Sequence, residues 1–170
     1  LTFGASPSYL YFPHIPQLIK KDLGSIKMIA ILREPASRAY SAWRMYHSFA
    51  DNLHTHLRDI ADYRSFPEAI DQELRPTSSD VQSPQYPYGY IARGKYIEQL
   101  ENYLKFFNKK SLLILSAEEL SRETEKTLGK VCKFLEIGIF PQNLIEELKQ
   151  EKYNVGRYKQ DDEEKKVIEK

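Results

Sequence analysis

Two side chains in this sequence stand out for what they could hold. Arg33 closes an unbroken apolar run, Met28–Leu32, and Ser41 follows it by eight residues. Arginine offers a planar fork of N–H donors that matches a phosphate, and a serine hydroxyl adds a neutral donor. Pro35, between them, suits the first position of a helix, where its missing N–H would have no partner anyway. A strand that ends in arginine and turns at once into a helix presents a cation at the carboxyl edge of a sheet, where open α/β sheets bind ligands. The adjoining helix N-terminus favours anions. Lys27–Ser41, K-M-I-A-I-L-R-E-P-A-S-R-A-Y-S, therefore reads as an anion site. The spacing also fits a plainer arrangement, with Arg33 paired to a carboxylate and Ser41 on its helix surface.

The other reactive side chains form no comparable constellation. The single cysteine, Cys132, has no disulfide or C-x-x-C partner, and its helical spacing with Leu128 and Leu135 makes it a core thiol. His54 and His56 form an H-x-H pair without the carboxylates or cysteines that would complete a metal centre, so no metal is expected. Lys+Arg 25 against Asp+Glu 24 leaves a net charge of +1, which argues against a nucleic-acid binder working through a broad basic surface. No apolar run approaches a membrane span, and no basic region followed by an apolar one opens the sequence. With one cysteine this favours a cytoplasmic setting, although the sequence begins at Leu1 rather than Met.

The elements that must position Arg33 and Ser41 follow from pattern and punctuation. Length and 41% apolar content suit a single globular domain over residues 1–170. Leu1–Gly4 resembles the tail of a strand. Ile15–Leu23 reads as a helix, with Pro16 in its first turn and Gly24 as its stop. The strand Lys27–Leu32 and a helix from Pro35 to about Phe49 come next. Asp51–Arg64 is polar and reads as loop or weak helix. Ser65-Phe66-Pro67-Glu68 is a capping-box pattern that starts a helix to about Leu74. Arg75–Arg93, rich in Pro and Ser and carrying Tyr86, Tyr88 and Tyr90, is a long loop of the kind that serves function. Tyr96–Phe107 is strongly amphipathic. Leu112–Leu115 is a second buried strand. Helices follow over Thr124–Leu135, stopped near Gly138, and over Pro141–Gln150. Asn154–Tyr158 is a loop, and Asp161–Lys170 is a charged helix start, acids first and lysines later, as the helix dipole prefers. Strands flanked by helices predict an α/β fold with a central parallel sheet buried on both faces. Two strands are few for such a sheet, so further strands are expected, upstream of Leu1 or unrecognised here.

I-L-R-E-P-A-S-R-A-Y-S resembles the 3′-phosphate-binding motif of sulfotransferases that use 3′-phosphoadenosine 5′-phosphosulfate (PAPS). That motif is a strand followed by R-[DN]-P-x-x-R-x-x-S. Arg33, Pro35, Arg38 and Ser41 match it, while Glu34 stands where Asp or Asn is usual. Other segments are similar to the bacterial and heparan-type branch, in that family's order. They are Ser6-Pro7-Ser8-Tyr9-Leu10, Phe66-Pro67-Glu68-Ala69-Ile70, Arg93-Gly94-Lys95-Tyr96 with Gln99 and Leu100, Leu112–Leu120, and Phe134-Leu135. The likeness runs roughly from Gly4 to Tyr158 and implies the P-loop-NTPase-like sulfotransferase fold, partly incomplete here.

The resemblance implies roles. Arg33 and Ser41 would hold the 3′-phosphate of PAPS or of its product, adenosine 3′,5′-bisphosphate (PAP). Gly156 and Arg157 would belong to a late loop that closes over the nucleotide. Tyr96, bordering the cleft, would contact the nucleotide or the acceptor, or else serve as a core aromatic; Arg38 would bind there, or be a structural salt bridge or a helix-surface charge. Glu118 and Glu119 read as structural, capping a turn or pairing with a base. Sulfuryl transfer to a hydroxyl or amine needs a general base and donors at the sulfuryl group, and no metal. His14, near the Ser6–Tyr11 segment, is a candidate base; Ser8, Tyr9, Tyr88 and Tyr90 are candidates for contacting the acceptor, a small molecule, lipid-like chain or carbohydrate. The family's 5′-phosphosulfate loop, K-x-G-T-[ST], precedes the S-P-x-Y segment and does not occur in these residues, and Ala5 stands where lysine often does. The sequence is therefore expected to be truncated at both ends. A non-catalytic module retaining only the 3′-phosphate site is the alternative; a P-loop nucleotide kinase would need G-x-x-x-x-G-K-[ST].

Overall fold

The structure is a computed structural model that describes residues 3–51, 54–75 and 88–150. In chain order its elements are α1 (Ile15–Leu23), β1 (Met28–Leu32), α2 (Pro35–His47), α3 (Thr55–Arg58), α4 (Phe66–Leu74), α5 (Tyr96–Leu104), β2 (Leu112–Ser116), α6 (Ala117–Arg122), α7 (Thr124–Leu135) and α8 (Gln142–Gln150), with short 3₁₀ turns at Ser48–Asp51, Ala92–Gly94 and Lys109–Ser111. The described residues fall into two compact units, one of residues 3–33 and 96–150, the other of residues 34–75 and 88–95.

The first unit is built on the sheet. β1 and β2 run parallel, with Met28 opposite Leu112 and Leu32 opposite Ser116. Tyr103, Phe107, Leu115, Cys132 and Ile145 are buried, so the lone thiol is a core residue as its spacing predicts. The chain before α1 is fastened to α5 by polar bonds: the Asn102 amide donates to the Pro13 carbonyl at 2.8 Å and the Tyr103 hydroxyl to the Tyr9 carbonyl at 2.9 Å. The parallel pairing agrees with the sequence, but the burial does not. Ile29, Ile31 and Ile114 are 36%, 53% and 48% exposed, because no described element covers those parts of the sheet.

The second unit packs α2 against α4 and the residues around Tyr90. Trp43 lies buried between Tyr40 and His47, with ring centroids 5.7 and 4.8 Å away. Its indole N–H donates to the Arg64 carbonyl at 3.0 Å.

Several boundaries differ from expectation. α2 closes at His47 and its last residues tighten into the 3₁₀ turn. α7 is closed by Glu136, the residue after its last, which takes the left-handed conformation (φ 59°). There the Ile137 N–H bonds to the Cys132 carbonyl and the Glu136 N–H to the Lys133 carbonyl, a Schellman closure that leaves Gly138 no capping role. Phe3 and Gly4 are not in a strand, and α6 has no counterpart among the expected elements. The expected loop Asn154–Tyr158 and helix Asp161–Lys170 lie outside the described residues.

Candidate functional site

Arg33 directly follows β1, in the first unit, and is exposed. Its guanidinium has no hydrogen bond or ion pair with the described residues, so no carboxylate among them pairs with it. Its backbone is held instead: the Tyr96 hydroxyl, from the first residue of α5, donates to the Arg33 carbonyl at 3.0 Å. Tyr96 therefore fixes the strand end that carries the arginine.

The second unit begins with α2 and contains a surprise at the helix N-terminus. Glu34 is the N-cap, and its carboxylate accepts the N–H groups of Ala36 at 2.8 Å and Ser37 at 2.6 Å. Both donors that an incoming anion would use are taken by the chain's own carboxylate. The Ala36 and Ser37 N–H groups are therefore not open to the anion that the sequence reading places at this helix end. Ser41 is half-buried on α2, and its hydroxyl has no hydrogen bond to the described residues. Arg38 donates through Nη2 to the Tyr90 carbonyl, which ties α2 to the segment around Tyr90.

That segment packs into the core of the unit. Tyr90 is 1% exposed, and its hydroxyl donates to Asp62 Oδ2 at 2.8 Å. Asp62, itself buried, also accepts Arg64 Nε at 2.8 Å and Nη2 at 2.6 Å, while Arg64 Nη1 donates to the Gln72 side-chain oxygen at 2.5 Å. Burial alone would raise the Asp62 carboxyl, but the hydrogen bonds from Arg64 and Tyr90 outweigh it and hold the group below its usual range. Burial, then the bond to Asp62, pushes the Tyr90 hydroxyl far up, so it stays protonated as a donor. Tyr88 stacks on Tyr90 at 5.7 Å and donates its hydroxyl to the Ala61 carbonyl at 2.8 Å. Of the two tyrosines expected at the acceptor, Tyr90 is thus a core residue of this unit and Tyr88 a half-buried one with an engaged hydroxyl. Tyr86 lies outside the described residues.

Glu73 completes this unit. Its carboxylate accepts the N–H groups of Ile91 and Ala92, at distances of 2.9 to 3.1 Å, and so starts the 3₁₀ turn Ala92–Gly94. Gly94 lies against the start of α2, where a Cβ would come within 3.3 Å of Pro35 Cβ.

The remaining candidates are scattered. The Ser8 N–H donates to Ser6 Oγ at 3.3 Å within a turn, and Tyr9 is 47% exposed. His14 is exposed ahead of α1, its ring 5.8 Å from that of Phe12. Gly156 and Arg157 lie outside the described residues. Glu118 and Glu119 are structural, as expected: Ser116 Oγ accepts both their N–H groups, and Glu119 pairs with Lys130 at 3.1 Å. No group of three or more His, Cys, Asp or Glu side chains fit to hold a metal occurs among the described residues. Sequence reasoning missed Asp62, Arg64 and Glu73, since each finds its partners through the fold.

Residues 6–168 match the family described as the sulfotransferase domain. The chain is 27% identical over 139 residues to the bifunctional heparan sulfate N-deacetylase/N-sulfotransferase 1 of Caenorhabditis briggsae, an alignment covering 82% of the chain and 16% of that protein. It is 30% identical over 138 residues to the heparan sulfate glucosamine 3-O-sulfotransferase 5 of Mus musculus, covering 81% of the chain and 36% of that protein. The chain thus spans well under half the length of these relatives. A sulfotransferase structure from Alicyclobacillus acidocaldarius superposes with a TM-score of 0.61 at 26% identity, over 83% of this chain and 56% of that one.

Proposed function

Since this chain belongs to the sulfotransferase domain family, we propose that it carries the 3′-phosphate half of a PAPS-dependent sulfotransferase acting on a carbohydrate hydroxyl or amine. The observation that carries the reading is Arg33: an exposed guanidinium at the carboxyl end of a parallel strand, with no carboxylate partner among the described residues, inside the R-E-P-x-x-R-x-x-S pattern. A phosphate supplies the charge and the paired acceptors that this fork lacks. Ser41 adds a hydroxyl donor. Gly156 and Arg157 belong to the same nucleotide site by resemblance. Tyr96 acts on the nucleotide through the Arg33 backbone that its hydroxyl holds. The family's relatives named for heparan sulfate support a carbohydrate acceptor.

PAPS supplies the activated sulfuryl group. In the transfer, the bond from sulfur to the 5′-phosphate oxygen breaks and a bond from sulfur to the acceptor oxygen or nitrogen forms. The acceptor proton passes to a general base, and PAP leaves. His14, exposed and outside any capping bond, is the base candidate within the chain. Arg33 and Ser41 hold the nucleotide still while this happens, and donate no proton to it.

Calorimetric titration with PAP tests the site. A hydrogen bond to a charged group contributes about 1.5–3 kcal/mol, so Arg33→Ala is expected to weaken PAP binding roughly 10- to 100-fold. No binding by the wild type, or unchanged binding by the variant, overturns the assignment.

A further inference from the structure

The first unit carries a second feature that the nucleotide site does not use. Lys20 at the end of α1 lies with Nζ 5.5 Å from the centroid of the Phe107 ring, and Nζ bonds to Ser25 Oγ at 3.1 Å. Lys105, Lys109 and Lys110 flank Phe107 in sequence, are exposed, and have no ion pair with the described residues. Four other lysines of this unit are matched by carboxylates, Lys27 with Glu136, Lys126 with Glu123, Lys130 with Glu119 and Lys149 with Glu125, while Lys133 on α7 is exposed without such a partner among the described residues. Across residues 15–27 and 105–111 the only carboxylate is Asp22. Lys20, Lys21, Lys105, Lys109 and Lys110 against Asp22 alone make this end of the unit basic, in a chain whose net charge is only +1.

The sheet places that end. Residues 105–111 lead into Leu112, the first residue of β2, which lies opposite Met28, the first residue of β1. Arg33 follows the last residue of β1. At about 3.3 Å per residue, a five-residue strand separates the two ends by roughly 16 Å. The lysines thus form a surface distinct from the strand-end arginine.

We propose that this basic end, centred on Lys20, Lys109 and Lys110, docks a polyanionic glycan bearing sulfate or carboxylate groups, apart from the nucleotide site. The proposal rests on the carbohydrate reading of the acceptor. A nucleic acid is disfavoured because Phe107 is buried under Lys20 and Phe106 is half-buried, which leaves no exposed ring in this turn for base stacking. Lysines act as mobile point charges that suit anions spaced along a flexible chain.

The test uses the full chain, a heparin dodecasaccharide, and a single-stranded oligonucleotide of equal charge, titrated at several salt concentrations. Lys109→Ala/Lys110→Ala is expected to weaken dodecasaccharide binding about tenfold and to lower the log–log salt slope by roughly 2. Lys133→Ala, exposed on α7, is expected to leave binding unchanged. Equal binding by wild type and double variant, or oligonucleotide binding as tight as the dodecasaccharide's, overturns the proposal. PAP titration of the same double variant separates the two readings. Lost PAP binding in the wild type with retained glycan binding counts against the nucleotide site alone. Retained PAP binding without glycan binding counts against this surface alone.

Discussion

Asp62 is a buried carboxylate whose charge must be met inside the fold. Its carboxylate sits in the core of the second unit and is satisfied by Arg64 and Tyr90. Removing one member of such a set leaves a charge without its partner, at a cost of about 3–5 kcal/mol. Asp62→Ala is therefore expected to destabilise the chain by about that amount, read by urea unfolding at neutral pH. The acid dependence has a definite sign. The folded carboxyl titrates below its ordinary value of 3.8, so its contribution is complete above about pH 4 and is lost as pH falls through the folded value. Asp62→Asn should flatten this acid limb; an unchanged limb would assign it to other carboxylates. The opposite sign holds for Tyr103, whose hydroxyl is pushed from 10.0 up to about 12, first by burial and then by Tyr9. Its contribution is complete below about pH 10 and is lost as pH rises towards 12, and Tyr103→Phe should remove that alkaline loss. None of this was legible in D-Y-R or in the tyrosine run. Asp62 and Tyr90 are 28 positions apart, and no periodicity announces a pair brought together by tertiary packing. The placement of Arg33 after β1 and of Ser41 on α2 was legible because a strand, an arginine and a helix-starting proline are contiguous.

Elements were legible where the chain is punctuated. Pro16 and Gly24 bound α1, and the Ser65–Glu68 box starts α4, with Ser65 Oγ accepting the Glu68 N–H and the Glu68 carboxylate accepting the Ser65 N–H at 2.8 Å. Ser65→Ala is expected to cost about 1 kcal/mol, measured by denaturant unfolding, and Ser65→Asp to restore most of it. A loss near zero would mean that packing of α4, not its cap, fixes where the helix begins. α6 was not legible, because six residues are too short for a period to emerge and its cap, Ser116, is also the last residue of β2. The stop of α7 misled for a related reason. A glycine near a helix end invites the capping role, but the left-handed turn had already been made at Glu136.

For the molecule as a whole, the α/β class and parallel pairing followed from the order of apolar runs and helices, whereas the exposure of the sheet did not. Among the described residues, Ile29 and Ile31 on β1 and Ile114 on β2 put apolar surface beside strand edges that invite pairing with another copy. Sedimentation of the 170-residue chain is expected to show association that grows with concentration and that Ile29→Thr/Ile31→Thr reduces. A monomer at all concentrations would contradict this. Glu34 has a consequence for the same molecule in solution. By occupying the amide donors at the head of α2, it acts as a tethered competitor of free inorganic anions, which meet a negative charge where many helices offer a welcome. Sulfate and phosphate, abundant and small, are left only side-chain donors to compete for. The nucleotide proposed above also offers a base and a ribose and would not depend on that one foothold, so the position of a single carboxylate would set it apart from the small ions.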